Sequence, residues 1–190
     1  MIGQLRASWN WHIGLRPGWA ISLVVLAFGG ATLTFALVAA WAGLRLNDSP
    51  SMPPGLYIRT RSDDDASLAV FCPAEPFAQL SVERGYRSRG NCPDGSEPLA
   101  KPIVARPGDI VELSATGMAV NGRLLPNTSP LAKDSAGRPL PHWPFGRYVV
   151  VPRLVWVAST YSPRSFDSRY FGPVEASQVR EHVRPLLTAR

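Results

Sequence analysis

The sequence predicts a mainly β domain that follows one N-terminal transmembrane helix. The helix is predicted from residues 19–44, which carry no charged side chain. The β domain is predicted from the segments that come after it, which are short, rich in β-branched and aromatic residues, and separated by turn residues. With 19 prolines and 16 glycines among 190 residues, the chain contains too many helix breakers for long soluble helices.

The uncharged run has the length and the flanking residues of a membrane anchor. The part between Trp19 and Trp41 would be about 33 Å long as a helix, against a hydrocarbon core of about 30 Å. An indole at each end suits the two membrane–water interfaces. A cleaved signal peptide is the alternative, with "AWA" at 40–42 as its cleavage site, but its apolar core would have only about 7–15 residues. We therefore expect a signal anchor at 19–44.

The charges around the anchor predict its orientation. Arg6 and Arg16 precede it, and no acidic residue does. The positive-inside rule then places segment 1–18 in the cytoplasm and exports the domain at 45–190, although Arg45 on the other flank reduces the asymmetry. The net charge of +6 is expected to favour anionic lipid headgroups. The basic residues are scattered and form no basic helix that could bind nucleic acid.

The two cysteines lie in the part predicted to be exported. An oxidising compartment favours a disulfide between Cys72 and Cys92. It would close an insertion near 72–92 and stabilise the fold by about 3 kcal/mol. A pair of buried free thiols is the alternative. Too few Cys and His side chains lie nearby for a zinc site, and the sequence predicts no metal and no cofactor.

Five segments after the anchor predict strands. They are "GLYIRT" (55–60), "ASLAVFC" (66–72), "EPLAKPIVARPGDIVEL" (97–113), "MAVNGRLLP" (118–126) and "RYVVVPRLVWVAS" (147–159). Asn121-Gly122 between two short apolar runs is a strong local signal for a hairpin. The final polar stretch, "EASQVREHVRPLL" (175–187), predicts a short helix that is interrupted near Pro185.

Ser51 is the candidate nucleophile of the exported domain. It stands among three prolines in "NDSPSMPPGLYIRT" (47–60), and these prolines restrict the backbone around it. The three histidines of the chain lie in segments where surface positions are expected. Ser51 would therefore need another base, and a lysine can serve if burial lowers its pKa. The chain has only two lysines, Lys101 and Lys133.

Lys101 is the lysine whose surroundings suit a base. In a strand it would share a face with Leu99 and Ile103. Burial on that face would lower its pKa, and the neutral amine can accept a proton. A lysine that protects an edge strand from aggregation is an equally good explanation of the same pattern. The periodicity alone leaves both explanations open.

Three motifs resemble those of the type I signal peptidases, which are membrane-anchored serine-lysine proteases. They are "NDSPSMPPG", "LAKPIVARPGD" and "SFDSRYFGPV", in the order and with the spacing typical of that family. The first motif, the cysteine pair and the last motif look most like the TraF-type peptidases of conjugative transfer systems. The resemblance covers residues 47–174 together with the anchor, and it implies a signal-peptidase-like β domain.

The resemblance implies a catalytic role for three residues. It makes Ser51 the nucleophile and Lys101 the general base. It also implies that the Ser49 hydroxyl and the Ser51 N–H together form the oxyanion hole.

The resemblance implies a supporting role for three more residues. Ser165 would orient the lysine through a hydrogen bond, and Asp167 and Arg169 would form a structural ion pair beside the site. Two departures from the general secretory signal peptidases stand nearby. Pro102 replaces their usual arginine, and "AST" at 158–160 replaces their "G-D-N".

The implied function is that of a serine endopeptidase of the bacterial inner membrane with its catalytic domain in the periplasm. Its substrate would be a protein precursor cut next to its own membrane segment, such as the pilin precursor of a conjugative transfer system. Water, or the pilin's own N-terminal amine in a cyclisation, would release the product. The alternatives are a general signal peptidase for secreted proteins and a non-catalytic, membrane-tethered scaffold of a conjugation or secretion assembly.

Overall fold

The computed structural model describes residues 18–61 and 67–189. The predicted cytoplasmic segment 1–18, with Arg6 and Arg16, therefore lies outside the described residues except for Gly18. The chain divides into two compact units between Trp41 and Ala42.

The first unit contains helix α1, which spans Gly18–Trp41. Within the described residues it alone is long and apolar enough to cross a membrane, with a mean hydropathy of 2.2 over Trp19–Trp41. The uncharged run continues to Leu44, but the helix ends at Trp41 and Leu44 begins the first strand. Gly43 precedes that strand with φ +82°, and a Cβ there would lie 2.8 Å from the Cβ of Arg59.

The second unit is mainly β, which confirms the predicted fold class. Its strands are β1 (Leu44–Asn47), β2 (Gly55–Thr60), β3 (Leu68–Phe71), β4 (Leu99–Ala105), β5 (Ile110–Ser114), β6 (Gly117–Val120), β7 (Arg123–Leu124), β8 (Gly146–Val149), β9 (Leu154–Val157), β10 (Val174–Glu175) and β11 (Val179–Thr188). They form two antiparallel sheets. One has the strand order β1-β2-β11-β3-β4-β9-β10, and the other has the order β7-β6-β5-β8.

Short helical segments interrupt the strands. Helix α2 spans Phe77–Glu83, inside the segment that the Cys72–Cys92 disulfide closes. Helix α3 spans Ser168–Phe171, and a 3₁₀ turn spans Ala176–Gln178. The sequence of the insertion has no clear periodicity, and α2 has only seven residues. Such a helix is too short for its pattern to be recognised.

The predicted hairpin is confirmed by β6 and β7. Val120 pairs with Arg123, which leaves Asn121 and Gly122 as a two-residue loop. Both loop residues have positive φ, +50° and +79°, as a type I′ turn requires.

The predicted C-terminal helix is wrong, because Val179–Thr188 forms strand β11. This strand pairs with both β2 and β3. Two neighbouring strands satisfy its backbone groups and outweigh a weak helix propensity. Pro185 is tolerated because it lies beyond Val183, the last residue paired with β3, at an irregular register next to Leu187.

An aromatic core supports the larger sheet. Phe71 of β3 and Val157 of β9 are buried in it together with three aromatic residues of the segment around α3, namely Phe166, Tyr170 and Phe171. A second cluster, around Met118 and Trp156, packs against the smaller sheet. The first core brings β3, β9 and α3 next to β4, the strand that carries Lys101.

Candidate active site

Ser51 lies in the turn that joins β1 to β2. Asn47, the last residue of β1, holds this turn through its side-chain amide. Its Nδ2 donates to the carbonyl oxygens of Ser49 and Pro53 at 3.4 and 3.3 Å, and its Oδ1 accepts from the Ser49 N–H at 3.3 Å. Tyr57 adds a hydrogen bond from its hydroxyl to the Pro53 carbonyl at 2.7 Å. These contacts and the prolines restrict the backbone on both sides of Ser51.

The hydroxyl groups of Ser49 and Ser51 are hydrogen-bonded at 2.9 Å. The Ser51 N–H also donates to Ser49 Oγ, at 3.3 Å. The two groups expected in the oxyanion hole therefore bind each other in this structure, and Ser49 Oγ holds the acceptor position that an oxyanion would need. A substrate carbonyl would have to displace this oxygen.

Lys101 lies in the middle of β4, opposite Ala69 of β3. Strands β3 and β9 flank β4 on its two sides, so Lys101 does not protect an edge strand, and that explanation of the pattern is wrong. Lys101 is only 5% exposed. Burial is the largest influence on its pKa, which falls from 10.5 to about 8, while Asp167 raises the pKa and Arg169 lowers it.

Ser51 and Lys101 line the same cavity, which has a volume of about 470 Å³. Its walls come from the β1–β2 turn, the segment around β4 and the segment before α3, and Ser49 and Ser165 are also among the lining residues. This volume is in the range of small-molecule sites. Across the part of the chain that the structure describes, no cluster of His, Cys, Asp and Glu could hold a metal ion.

The disulfide-closed insertion reaches this cavity, which the sequence did not predict. Tyr86 of the insertion and Asp134 of the loop before β8 both line it. The Tyr86 hydroxyl donates to Asp134 Oδ2 at 2.6 Å, and Arg138 Nε donates to the same oxygen at 2.7 Å. One wall of the cavity therefore consists of two segments that are distant in sequence and joined by this carboxylate.

Asp167 and Arg169 form a fully buried ion pair, with both side chains 0% exposed. Arg169 Nε and Nη2 donate to the two carboxylate oxygens of Asp167, each at 2.8 Å. The other guanidinium hydrogen bonds go to four backbone carbonyls, those of Asn127, Ser129, Pro163 and Ser165. Burial by itself would lower the pKa of Arg169, but hydrogen bonds and the charge of Asp167 raise it above its ordinary value. The pair is thus satisfied on all sides.

Ser165 is 3% exposed and lines the cavity. Its Oγ has no hydrogen-bond partner among the described residues. The hydrogen bond to Lys101 that the resemblance implies is therefore not formed in this structure. An unsatisfied buried hydroxyl costs about 1–3 kcal/mol, so this position favours a polar group that enters the cavity.

Ser159 contacts both Ser51 and Asp167, and sequence reasoning missed it. Its Oγ donates to the Ser51 carbonyl oxygen at 2.6 Å, and its N–H donates to Asp167 Oδ2 at 3.0 Å. It belongs to the "AST" segment at 158–160, where the family pattern differs. A small polar residue two positions after the end of β9 was the available signal.

The chain matches one family of known proteins over most of its length. The match to the family described as "Signal peptidase, peptidase S26" covers residues 18–186. A plasmid transfer protein TraF from Escherichia coli is 38% identical over 163 residues, which are 84% of this chain and 92% of that protein. A probable conjugal transfer protein TraF from Sinorhizobium fredii (strain NBRC 101917 / NGR234) is 36% identical over 172 residues, which are 86% of this chain and 89% of that protein.

A solved structure is also similar, at a lower level. The crystal structure of a signal peptidase I from Enterococcus faecalis V583 aligns with a TM-score of 0.35 and 21% sequence identity, and it covers 64% of this chain and 97% of that chain.

Proposed function

Because the chain belongs to the S26 signal peptidase family, we propose that it is a membrane-anchored serine endopeptidase with Ser51 as nucleophile and Lys101 as general base. The observation that carries the proposal is the burial of Lys101 at the cavity that Ser51 also lines, which lowers its pKa to about 8. A lysine with its ordinary pKa would be protonated near neutral pH and could not accept a proton. Lys133, the other lysine, is exposed and does not line the cavity.

The chemistry begins with proton transfer from Ser51 to the neutral amine of Lys101. Ser51 Oγ attacks the carbonyl carbon of the scissile peptide bond as the amine takes its proton. The ammonium then donates this proton to the leaving nitrogen, the C–N bond breaks, and an ester remains on Ser51. Water next attacks the ester, Lys101 accepts a proton from that water, and returning the proton to Ser51 Oγ frees the acid product.

The oxyanion of the tetrahedral intermediate would take the place that Ser49 Oγ now holds. There it accepts from the Ser51 N–H, and the Ser49 hydroxyl turns from Ser51 Oγ to donate to it. This exchange also frees Ser51 Oγ for attack. Each such donor is typically worth about 10²–10³ in rate.

The substrate we propose is a protein precursor of a conjugative transfer system, namely the pilin precursor, cut next to its membrane segment. The names of the relatives support a role in plasmid transfer, and the family supports cleavage of an exported precursor. Segment 1–18 would lie in the cytoplasm, α1 would cross the inner membrane, and the domain at 45–190 would act in the periplasm. An extended substrate would bind along a strand edge, and aminolysis of the ester by the pilin's N-terminal amine would give a cyclic product.

The first experiment measures the intact mass of a co-expressed candidate pilin precursor. Processing by wild type should disappear with Ser51→Ala and with Lys101→Ala. Lys133→Ala is the matched control and should process as wild type does. A product lighter by one water than the linear fragment would identify cyclisation. Processing that persists in both cavity variants would refute the serine-lysine mechanism and leave the scaffold as the better explanation.

A second experiment tests the breadth of substrates. Wild type and Ser51→Ala are compared on the pilin precursor and on a panel of unrelated secreted preproteins. We expect cleavage of the pilin precursor only. Ser51-dependent cleavage of most of the panel would instead identify a general signal peptidase.

A further inference from the structure

We propose that Ser159 is a positioning residue, which holds the backbone of Ser51 in a fixed place relative to Lys101 and so sets the rate of attack. This inference rests on the proposed function, since positioning matters only if Ser51 attacks. The family resemblance assigns no role to this residue. Ser159 is fully buried. It lies two residues after Val157, the last residue of β9.

The hydrogen bonds of the Ser159 hydroxyl leave it one orientation. A serine hydroxyl has one donor hydrogen and two acceptor lone pairs. The N–H groups of Tyr161 and Ser162 donate to Ser159 Oγ at 3.1 and 3.0 Å and occupy both lone pairs. The single hydrogen is then committed to the Ser51 carbonyl oxygen, 2.6 Å away. Because the whole group is buried, no water competes for this bond.

The backbone N–H groups of Ala158 and Ser159 connect the Ser159 hydroxyl to other parts of the site. The Ala158 N–H donates to the carbonyl of Pro102, the residue after Lys101, at 3.0 Å. The Ser159 N–H donates to Asp167 Oδ2 at 3.0 Å. Two consecutive residues therefore bind the Ser51 turn, the Lys101 strand and the buried ion pair.

The Ser51 side of this arrangement depends on one side chain. Ser159 Oγ is the donor that the structure places on the Ser51 carbonyl. Its loss would leave that carbonyl buried without this partner and would free the turn to shift. A displacement of about 1 Å in a reacting group can reduce a rate by about 10²-fold. Lys101 would keep its place in β4, an inner strand of the larger sheet, so we expect its pKa to stay as in wild type.

The test compares single-turnover processing of the precursor by full-length wild type and Ser159→Ala in detergent, below the thermal midpoint of each. We expect the rate constant at saturating substrate to fall by about 10- to 100-fold. The half-saturating substrate concentration and the pH midpoint of the rate should stay as in wild type. This split between rate and binding is what separates positioning from general destabilisation.

Two control variants make the result decisive. Ser81→Ala removes another fully buried hydroxyl, which donates to the Ala78 carbonyl and accepts from Arg87 in the insertion. Thr160→Ala removes an exposed hydroxyl next to Ser159. Both should keep the wild-type rate constant.

Each outcome bears on one proposal. If Ser159→Ala processes at the wild-type rate while Ser51→Ala is inactive, the positioning role is wrong and the proposed function stands. The role is also wrong if Ser81→Ala slows processing as much as Ser159→Ala does. If Ser51→Ala itself remains active, the proposed function fails first.

Discussion

Two carboxylate–arginine clusters in the second unit have similar geometry and very different exposure. Asp167 and Arg169 are both 0% exposed. Glu181 of β11 accepts from Arg45 of β1 and Arg59 of β2, each at 2.8 Å, and these side chains keep 24%, 38% and 47% of their exposure. The contacts are equally short, so solvent access is the main difference between the clusters.

This difference determines what each cluster does for the protein. The groups around Glu181 can return to water when a partner is removed, which makes each ion pair replaceable. Arg169 has no such alternative, and its hydrogen bonds hold four backbone carbonyls near the cavity. The buried cluster therefore defines the shape of the site and shifts the pKa of Lys101. The exposed cluster connects three strands but contributes little to the free energy of unfolding.

The largest expected effect is that of Asp167→Asn. This change keeps the shape of the side chain but leaves the Arg169 charge buried without compensation. We expect the free energy of unfolding to fall by about 3–5 kcal/mol. Denaturant unfolding of the full chain in detergent measures it, with Glu181→Gln as the matched control. Equal losses of unfolding free energy in Asp167→Asn and Glu181→Gln would contradict the conclusion that burial separates the two clusters.

Lys101→Met is expected to change the free energy of unfolding by a slightly smaller amount and in the opposite direction. The folded pKa of about 8 lies below the ordinary 10.5, so the folded chain holds an unfavourable ammonium below pH 8. We expect the variant to be more stable than wild type by about 3 kcal/mol at pH 6. The gain should shrink as pH rises from 8 through 10.5, where the unfolded chain also loses its proton. Lys133→Met, at an exposed position, is the matched control for the change of side chain.

The pH dependence of processing is the third effect. Below about pH 8 the rate should fall about tenfold per pH unit, because Lys101 must be neutral. Asp167 raises the pKa of Lys101, so the residual activity of Asp167→Asn should have a midpoint at lower pH. Glu181→Gln should leave the midpoint unchanged. A profile that is flat from pH 6 to 10 would exclude Lys101 as the base.

The smallest expected effect is that of Glu181→Gln on stability. At pH 7 the loss should be about 1 kcal/mol or less, and salt should reduce it further. Burial by itself would raise the pKa of Glu181, but Arg45 and Arg59 outweigh it and lower the pKa below 4.5. The stabilisation is therefore present above pH 4.5 and is lost as pH falls through the lower, folded value. Thermal unfolding at pH 7 and pH 3 checks this, and a larger loss at pH 3 would contradict it.

Local patterns explain which parts of the fold could be predicted. The uncharged run identified α1, and Asn121-Gly122 identified the β6–β7 hairpin, since both signals depend on residues close in sequence. Helix α2 was missed because it is short. Strand β11 was mistaken for a helix because its two partner strands lie far away in the chain.

The candidate site follows the same division. The motifs located Ser51, Lys101, Ser49, Ser165, Asp167 and Arg169, all of which the structure places at the cavity or directly beside it. The motifs did not predict that Ser165 Oγ lacks a partner or that Tyr86 and Asp134 build a wall. Nor did they indicate Ser159.

The sequence by itself determined the long apolar helix α1, the mainly β class and the candidate serine and lysine, because composition, turn chemistry and motif spacing act over a few residues. Only the tertiary structure decided that Lys101 is buried in an inner strand of the larger sheet, at the cavity that Ser51 also lines, and this burial is the largest cause of its lowered pKa. The same holds for Ser159, whose hydrogen-bond partner Ser51 is 108 positions away in the chain. Burial and long-range hydrogen bonds depend on which segments meet, and that is a property of the folded chain.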